Sequence, residues 1–539
     1  MADRAFSVPL EIDGRSLTLA DVAAVARAGR AVALAADARA RMVHSHRQVV
    51  AAGASGRPVY GVTTGFGSLA RVSIAPEDRA RLSLNLLRSH AAGVGPSLPV
   101  DVVRAMMLLR ANALARGVSG CRPLLVDTLC AMLNAGVVPV VPSQGSCGSS
   151  GDLAPLAHLG LVLAAGDHVC AAVLGGEVLP GAEAMARAGI PRVELEAKDG
   201  LALTNGAQLT TALAALACED ACRLLRQAEV AAALSIEALR GCSRAFHPAV
   251  HAERPYPGAR ATAANLRALM AGSALVDSVP GKVQDAYSLR CTPQVLGAAR
   301  DAVAFARGQV RIEINSATDN PLILGDPGPA PEGFAHDPEN PAFSAGAFHG
   351  EPVGIPMDLL KIAVAEVASL AERRLYRLTT GTLSHRLPPG LAHADRPALG
   401  LMLPQTTAAA LVSENKALGW PASLDSIPTC EDQEDHVAMS TTAARRAVEV
   451  LANSRRVLAV ELLGASNALR FRVEAEPGLR LGAGTAVAWA TVCAALPPPR
   501  PTGTPAEDLA ALDALLQGDR LFAGLPPLLP VGAAPPEGH

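Results

Sequence analysis

The chain has 539 residues and a formal net charge of −3; half of its residues are hydrophobic and only 3% are aromatic. That length allows one large domain or up to about four of average size. The near-neutral charge argues against nucleic acid or an anionic membrane as a main partner, and "AERRLYRL" does not change this because acids are interspersed. A spanning helix needs roughly 20 predominantly apolar residues. The best uncharged run, "LGAGTAVAWATVCAALPPP", is broken by Gly and Thr and ends in Pro497, Pro498 and Pro499, so no membrane span is expected. The N-terminal "MADRAFSVPLEIDGRS" is charged where a signal peptide needs an apolar segment, which predicts a cytoplasmic protein.

Helical patterns dominate in chain order. "PEDRARLSLNLLRSHAAG" starts on Pro76, a good first-turn residue, and stops at glycine. "VDVVRAMMLLRANALARG" repeats the scheme. Strand-like patterns are short and few, chiefly "VVPVVP" and "AAVLGGEVL". Longer helices are predicted from about Ala207 to Leu239, from Met357 to Leu378 and from about Asp435 to Leu469. In the second of these Leu360, Val364, Val367, Ala371 and Leu375 keep a three-to-four spacing, the stripe of a bundle helix. Pro- and Gly-rich breaks fall at 324–343, read as a loop, and at 497–505. The expected fold is mainly α, a long-helix bundle with a smaller mixed N-terminal region. The expected organisation is an N-terminal region 1–200, a central bundle 201–476 and a C-terminal helical segment 477–539.

Ten cysteines are scattered without a CxxC pair. Cys218 and Cys222 share a helix face and read as small buried residues. His247 and His251 have HxxxH spacing, but Pro248 lies between them and no third ligand is evident, so no metal is expected.

The stretch "GSCGSSGDLAPLAH", from Gly145 to His158, invites a chemical reading. It does not fit the G-x-S-x-G elbow, because Asp152 stands where the second glycine belongs. It does not fit a phosphate loop either, since an acid follows Gly151, and "YGVTTGFG" lacks G-x-G-x-x-G spacing; no nucleotide is expected. A plain turn capping a helix near Asp152 is the bland alternative. X-Ser-Gly permits something else. If the Gly151 nitrogen attacks the Ser149 carbonyl carbon, a five-membered ring closes, and loss of the Ser150 hydroxyl leaves an exocyclic methylene. Glycine suits the attack because it has no side chain to block the approach.

With these residues in view, the sequence resembles the histidine and aromatic amino acid ammonia-lyase family, closest in motifs to its histidine members. "SSGDLAPLAH" matches the family signature. "YGVTTGFG", "RSHAAGVG", "LTNGAQ", "VQDAYSLRCTPQVLGA", "NSATDNPL", "FHGEPV", "SENKALGWPASLDSIPT" and "QEDHVAMST" follow in the family's order, over about residues 8–475. The resemblance implies an ammonia-lyase-like fold and a 4-methylideneimidazol-5-one formed from Ser149, Ser150 and Gly151. It implies no metal and no nucleotide. It also implies a homotetramer whose active sites are shared between subunits, acting on a small-molecule amino acid.

The resemblance assigns roles as well. Tyr60 is the base for the substrate's β-proton; a free tyrosine titrates at about 10, so cationic or donor groups must lie nearby. Arg290 clamps the substrate carboxylate through two parallel hydrogen bonds. Asn205, Gln284 and Tyr287 add polar contacts, and Phe348 packs near the site.

Relatives acting on phenylalanine or tyrosine typically carry an aromatic or His followed by Leu at Ser89 and His90, whereas this chain has "SH" like the histidine enzymes. "QEDH" places Glu434 where the phenylalanine enzymes have "NQD". A carboxylate buried against a phenyl ring costs several kcal/mol, roughly, but against imidazole N–H groups it becomes an interaction. His90 and Glu434 therefore favour L-histidine, with trans-urocanate as product. The alternatives are a tyrosine or phenylalanine ammonia-lyase, an aminomutase using the same cofactor, or an inactive scaffold of the same fold. Four departures from the family pattern stand out: Ser149 for the usual Ala, Ala347 for Asn, Asp432 for Asn and Cys147 for Val.

Overall fold

Helix punctuation sets where the elements begin and end. The structure, a computed structural model, describes residues 8–55, 57–65, 72–325, 328–329, 331–333, 340–392, 400–497 and 504–533. Thr18 caps Leu19–Ala28 with a reciprocal capping box to Asp21, and the helix stops at Gly29 in the left-handed region. Pro76 opens a 3-10 turn, Pro76–Asp78, which runs into the helix Arg79–His90. The helix Val100–Ala115 is buried on almost every side, Arg104 and Arg110 included. Pro498, Pro499, Phe66, Gly67, the first seven residues and part of 324–343 lie outside the described residues.

The strands are short. "VVPVVP" gives two strands in different sheets: Val138–Pro139 pairs with Ala171–Leu174, and Pro142–Gln144 pairs with Val94–Ser97. "AAVLGGEVL" forms a hairpin, Ala171–Leu174 against Glu177–Pro180, turning through Gly175 and Gly176 at positive φ. In the 324–343 region Ala342–Phe343 pairs with Leu322–Ile323.

Four long helices follow: Gln208–Ala238, Thr292–Glu313, Glu351–Thr379 and Ser440–Ala475. The first agrees with the sequence reading to within one residue at each end. The third begins six residues before Met357, with Pro356 inside it, at the loss of one backbone hydrogen bond. The fourth begins five residues after Asp435, because Met439 takes a left-handed backbone conformation. The fold class is mainly α, as the periodicity predicts.

The chain divides into two compact units. One comprises Met1–Glu219, Arg307–Met357 and Pro421–Arg445; the other comprises Asp220–Ala306, Asp358–Trp420 and Arg446–His539. In the first, Val49, Ala52, Val59, Val62 and Ile323 form an apolar cluster beneath the turn that presents Tyr60. In the second, buried ion pairs cross the helices. Arg374 Nη2 lies 2.9 Å from Glu461 Oε2, and Arg300 Nη1 lies 2.9 Å from Glu229 Oε1. His247 caps the short helix Pro248–Ala252, and His251 bonds the Ala245 carbonyl, so both have structural work. Among the described residues no helix is long and apolar enough to cross a membrane.

Candidate active site

The turn between the strand Pro142–Gln144 and the helix Leu153–Leu163 holds the serine pair. Its backbone takes left-handed values at Gly148, Ser150 and Gly151, with φ of 72°, 57° and 76°. A Cβ on Gly151 would lie 2.3 Å from the backbone of Gly206, so only glycine fits. The Asp152 N–H donates to the Gly206 carbonyl at 2.9 Å, clamping the turn from the other side. Asp152 sits where the sequence suggests a helix cap, but its side chain makes no cap bond. Instead it accepts from Ser146 Oγ and Thr441 Oγ1, each at 2.6 Å, and from the Thr210 N–H at 2.8 Å. Burial pushes this carboxyl up, and those hydrogen bonds oppose the shift.

The two serine hydroxyls face different partners. Ser149 is buried; its Oγ accepts from the Ala438 N–H at 2.7 Å and lies 3.5 Å from His349 Nε2. Ser150 Oγ donates to Glu434, whose other carboxylate oxygen accepts from Thr429 Oγ1 at 2.6 Å. Glu434 ends a tight loop closed by backbone bonds between Thr429 and Glu434, in which Cys430, Glu431 and Asp432 all take positive φ. No glycine marks this loop in the sequence.

A cavity of about 580 Å³ opens over the turn. It is lined by Tyr60, His90, Ser149 and Ser150, and by Asn205, Phe348 and Glu434. Seven of the expected site residues thus line one cavity. Tyr60 is presented by a turn in which the Val62 N–H bonds the Val59 carbonyl at 3.0 Å and Gly61 takes φ 68°, as a type II turn requires. Thr63 Oγ1 accepts from the Val59 N–H at 2.7 Å and fixes that turn. His90 ends its helix, with Nδ1 2.9 Å from Ser89 Oγ. Burial pulls His90 below the usual imidazole value, while a backbone contact at Leu86 and the charge of Glu434 push it the other way. Asn205 donates from Nδ2 to the Asn320 carbonyl at 3.0 Å, and its Oδ1 is buried without a hydrogen-bond partner. Arg110, fully buried, donates to the Asn205 carbonyl and to Gln208 Oε1.

The cavity also contains residues the sequence reading did not single out. His349 and His436 stack with ring planes 5° apart and centroids at 5.9 Å. His349 Nδ1 accepts from the Glu351 N–H at 3.3 Å, which leaves Nε2 as the donor, 3.2 Å from the His436 carbonyl. Both histidines lie in quoted motifs, "FHGEPV" and "QEDHVAMST", but nothing in the sequence says that they stack.

Gln284, Tyr287 and Arg290 are not among the residues lining this cavity. They belong to the second unit. Gln284 lines a separate cavity of about 510 Å³ together with Lys282, Arg377 and Arg386. Tyr287 and Arg290 bound a four-residue helix; Tyr287 is 71% exposed, and the Arg290 guanidinium lies 4.8 Å from its ring centroid.

A family model described as aromatic amino acid lyase matches residues 17–494. The histidine ammonia-lyase of Caldanaerobacter subterraneus subsp. tengcongensis is 49% identical over 475 residues, covering 88% of this chain and 90% of that protein. The crystal structure of histidine ammonia-lyase from Trypanosoma cruzi superposes with a TM-score of 0.86 at 36% identity, covering 97% of this chain and 96% of that one. A tyrosine aminomutase from Streptomyces globisporus gives the same TM-score and identity, covering 96% and 98%. The match over most of the chain, together with the clamped Ser-Ser-Gly turn beneath a cavity that holds a tyrosine, shows that this chain belongs to the aromatic amino acid lyase family.

Proposed function

We propose that the protein is a histidine ammonia-lyase, a carbon–nitrogen lyase that converts L-histidine to trans-urocanate and ammonia. The observation that supports histidine over an aromatic hydrocarbon side chain is the Glu434 carboxylate in the cavity beside His90. An imidazole N–H can satisfy that carboxylate; a phenyl ring cannot. Histidine, tyrosine and phenylalanine are offered separately and the conjugated acid is followed by absorbance. Histidine should be turned over best, and a preference for either of the others overturns the reading. The structural likeness to a tyrosine aminomutase, with the same TM-score as the Trypanosoma cruzi enzyme, makes β-amino acid product worth measuring in the same samples. Its accumulation would favour the mutase reading.

The residues present suit a 4-methylideneimidazol-5-one. Ser150 stands on a left-handed bend, Gly151 carries no Cβ, and the Gly206 backbone lies so close that no side chain could be added there. Built from Ser149, Ser150 and Gly151, that group would supply an electrophile that helps the amino group leave. The chain's own side chains do the rest. Tyr60 takes the β-proton, Glu434 accepts from the substrate imidazole, and Phe348 and the cavity walls keep water from the reacting carbon. Glu434→Gln should lower kcat/KM for histidine by about 10–100-fold, the range for losing a hydrogen bond to a charged group. An effect below about threefold would remove Glu434 from substrate recognition.

Arg290, Tyr287 and Gln284 complete the site from a neighbouring subunit of a homotetramer in this proposal. The exposed apolar side chains Ile362, Met402, Leu403 and Trp420 support association between copies. Complementation tests this arrangement. Ser150→Ala and Arg290→Ala homo-oligomers should both be inactive, whereas co-expressed chains should regain activity at roughly a quarter of the sites by random mixing. Mixed oligomers without activity would place Arg290 in the same chain's site or outside the chemistry.

A further inference from the structure

We propose that Ser149 is a positioning residue for the substrate. Its side-chain hydroxyl holds the Thr429–Met439 segment, and with it Glu434, against the electrophile-forming turn after the Ser150 hydroxyl has been lost. This rests on the lyase reading above and concerns the Ser149 side chain, which ring closure leaves intact.

Two hydroxyls join the turn to this segment: Ser150 Oγ donates to Glu434, and Ser149 Oγ accepts from the Ala438 N–H at 2.7 Å. Ring closure consumes one of them. The Gly151 nitrogen bonds to the Ser149 carbonyl carbon, and that carbonyl oxygen leaves as water with the amide hydrogens of Ser150 and Gly151. A second water takes the Ser150 hydroxyl and the Ser150 Cα hydrogen. Glu434 thereby loses its serine donor and is free to meet the substrate, and the Ala438–Ser149 bond is untouched.

The segment needs such an anchor. Cys430, Glu431, Asp432 and Met439 all hold left-handed φ, between 46° and 61°, without being glycine. Backbone in that region is sparsely populated and persists where surrounding contacts fix it. Ser149 lies at the joint. Ala438 is fully buried, so its N–H gains nothing from water if the hydroxyl is removed. His349, oriented by the Glu351 N–H, brings its Nε2 to 3.5 Å from Ser149 Oγ and stacks on His436 of the same segment. The usual alanine at this position would offer none of these contacts.

The test compares the wild type with Ser149→Ala and Ser149→Thr by intact mass, amide hydrogen exchange over residues 429–439, and steady-state kinetics with L-histidine. Ser149→Ala should keep the loss of two waters and exchange faster in the segment. Its KM should rise about fivefold, the equivalent of one ordinary hydrogen bond, and by more than any fall in kcat. Ser149→Thr, which retains the hydroxyl, should restore both exchange and KM. The proposal is overturned if Ser149→Ala matches the wild type in exchange and KM, or if Ser149→Thr is as impaired as Ser149→Ala. A Ser149→Ala chain without the water loss also overturns it, because the hydroxyl would then act in ring closure. A wild-type chain of full mass would instead sink the lyase reading itself.

Discussion

Ser150→Ala is expected to give a folded protein of full, unmodified mass with no measurable ammonia release, whereas the wild type should be lighter by two waters. The reason is chemical. In the proposed electrophile the Ser150 side chain provides the exocyclic carbon, and alanine has no hydroxyl to lose. The fold should survive, because Ser150 makes its side-chain bond to Glu434 in the cavity and not in the apolar core. The fall in kcat should exceed about 10³-fold, more than is lost on removing a single stabilising donor from an active site. Intact-mass spectrometry and a urocanate absorbance assay on the same preparation decide it. Residual turnover near the wild-type rate, or a full-mass wild type, would refute the assignment.

Tyr60→Phe should carry the second-largest effect. Phenylalanine keeps the ring and leaves the turn at Val59–Thr63 intact, since Gly61 and Thr63 fix that turn. Only the phenol oxygen is lost. If Tyr60 takes the β-proton, kcat should fall by about 10²–10⁴-fold with a much smaller change in KM, the usual range for removing a positioned base. The water loss should be unaffected, which separates this variant from Ser150→Ala. A kcat within about tenfold of wild type would move the base elsewhere in the cavity. His349 and His436 would be the next residues to test.

Much of the fold was legible because periodicity and punctuation agreed. Gln208–Ala238 was bounded to within a residue at each end. The misplaced boundaries have local causes. Gly354 and Pro356 read as breakers before Met357, yet the helix continues through both. Met439 delays the helix after Glu434 by a backbone conformation that its sequence does not announce. At the candidate site, the family resemblance carried by the motifs was enough to collect seven residues around one cavity. It could not show that Ser149 and Ser150 engage different partners, because Ala438 and Glu434 lie nearly three hundred residues away. Nor could it show that Asp152 turns from its helix end toward Ser146, Thr210 and Thr441. Gln284, Tyr287 and Arg290 fall with Asn205, Phe348 and Glu434 in the expected region 201–476, and sequence order gives no indication that these two groups belong to different units.

The grip on Gly151 has a consequence for the life history of the molecule. Its backbone is pressed against Gly206, and the neighbouring Asn205 is in turn held by the Asn320 carbonyl. Synthesis delivers both after the Ser-Ser-Gly turn. A nascent chain therefore carries the reactive residues before it carries the surface that bends them, and the proposed ring closure waits for folding. Each finished molecule would then bear a covalent record of having folded. The fraction of chains at full mass in a preparation would include those that never reached the native state.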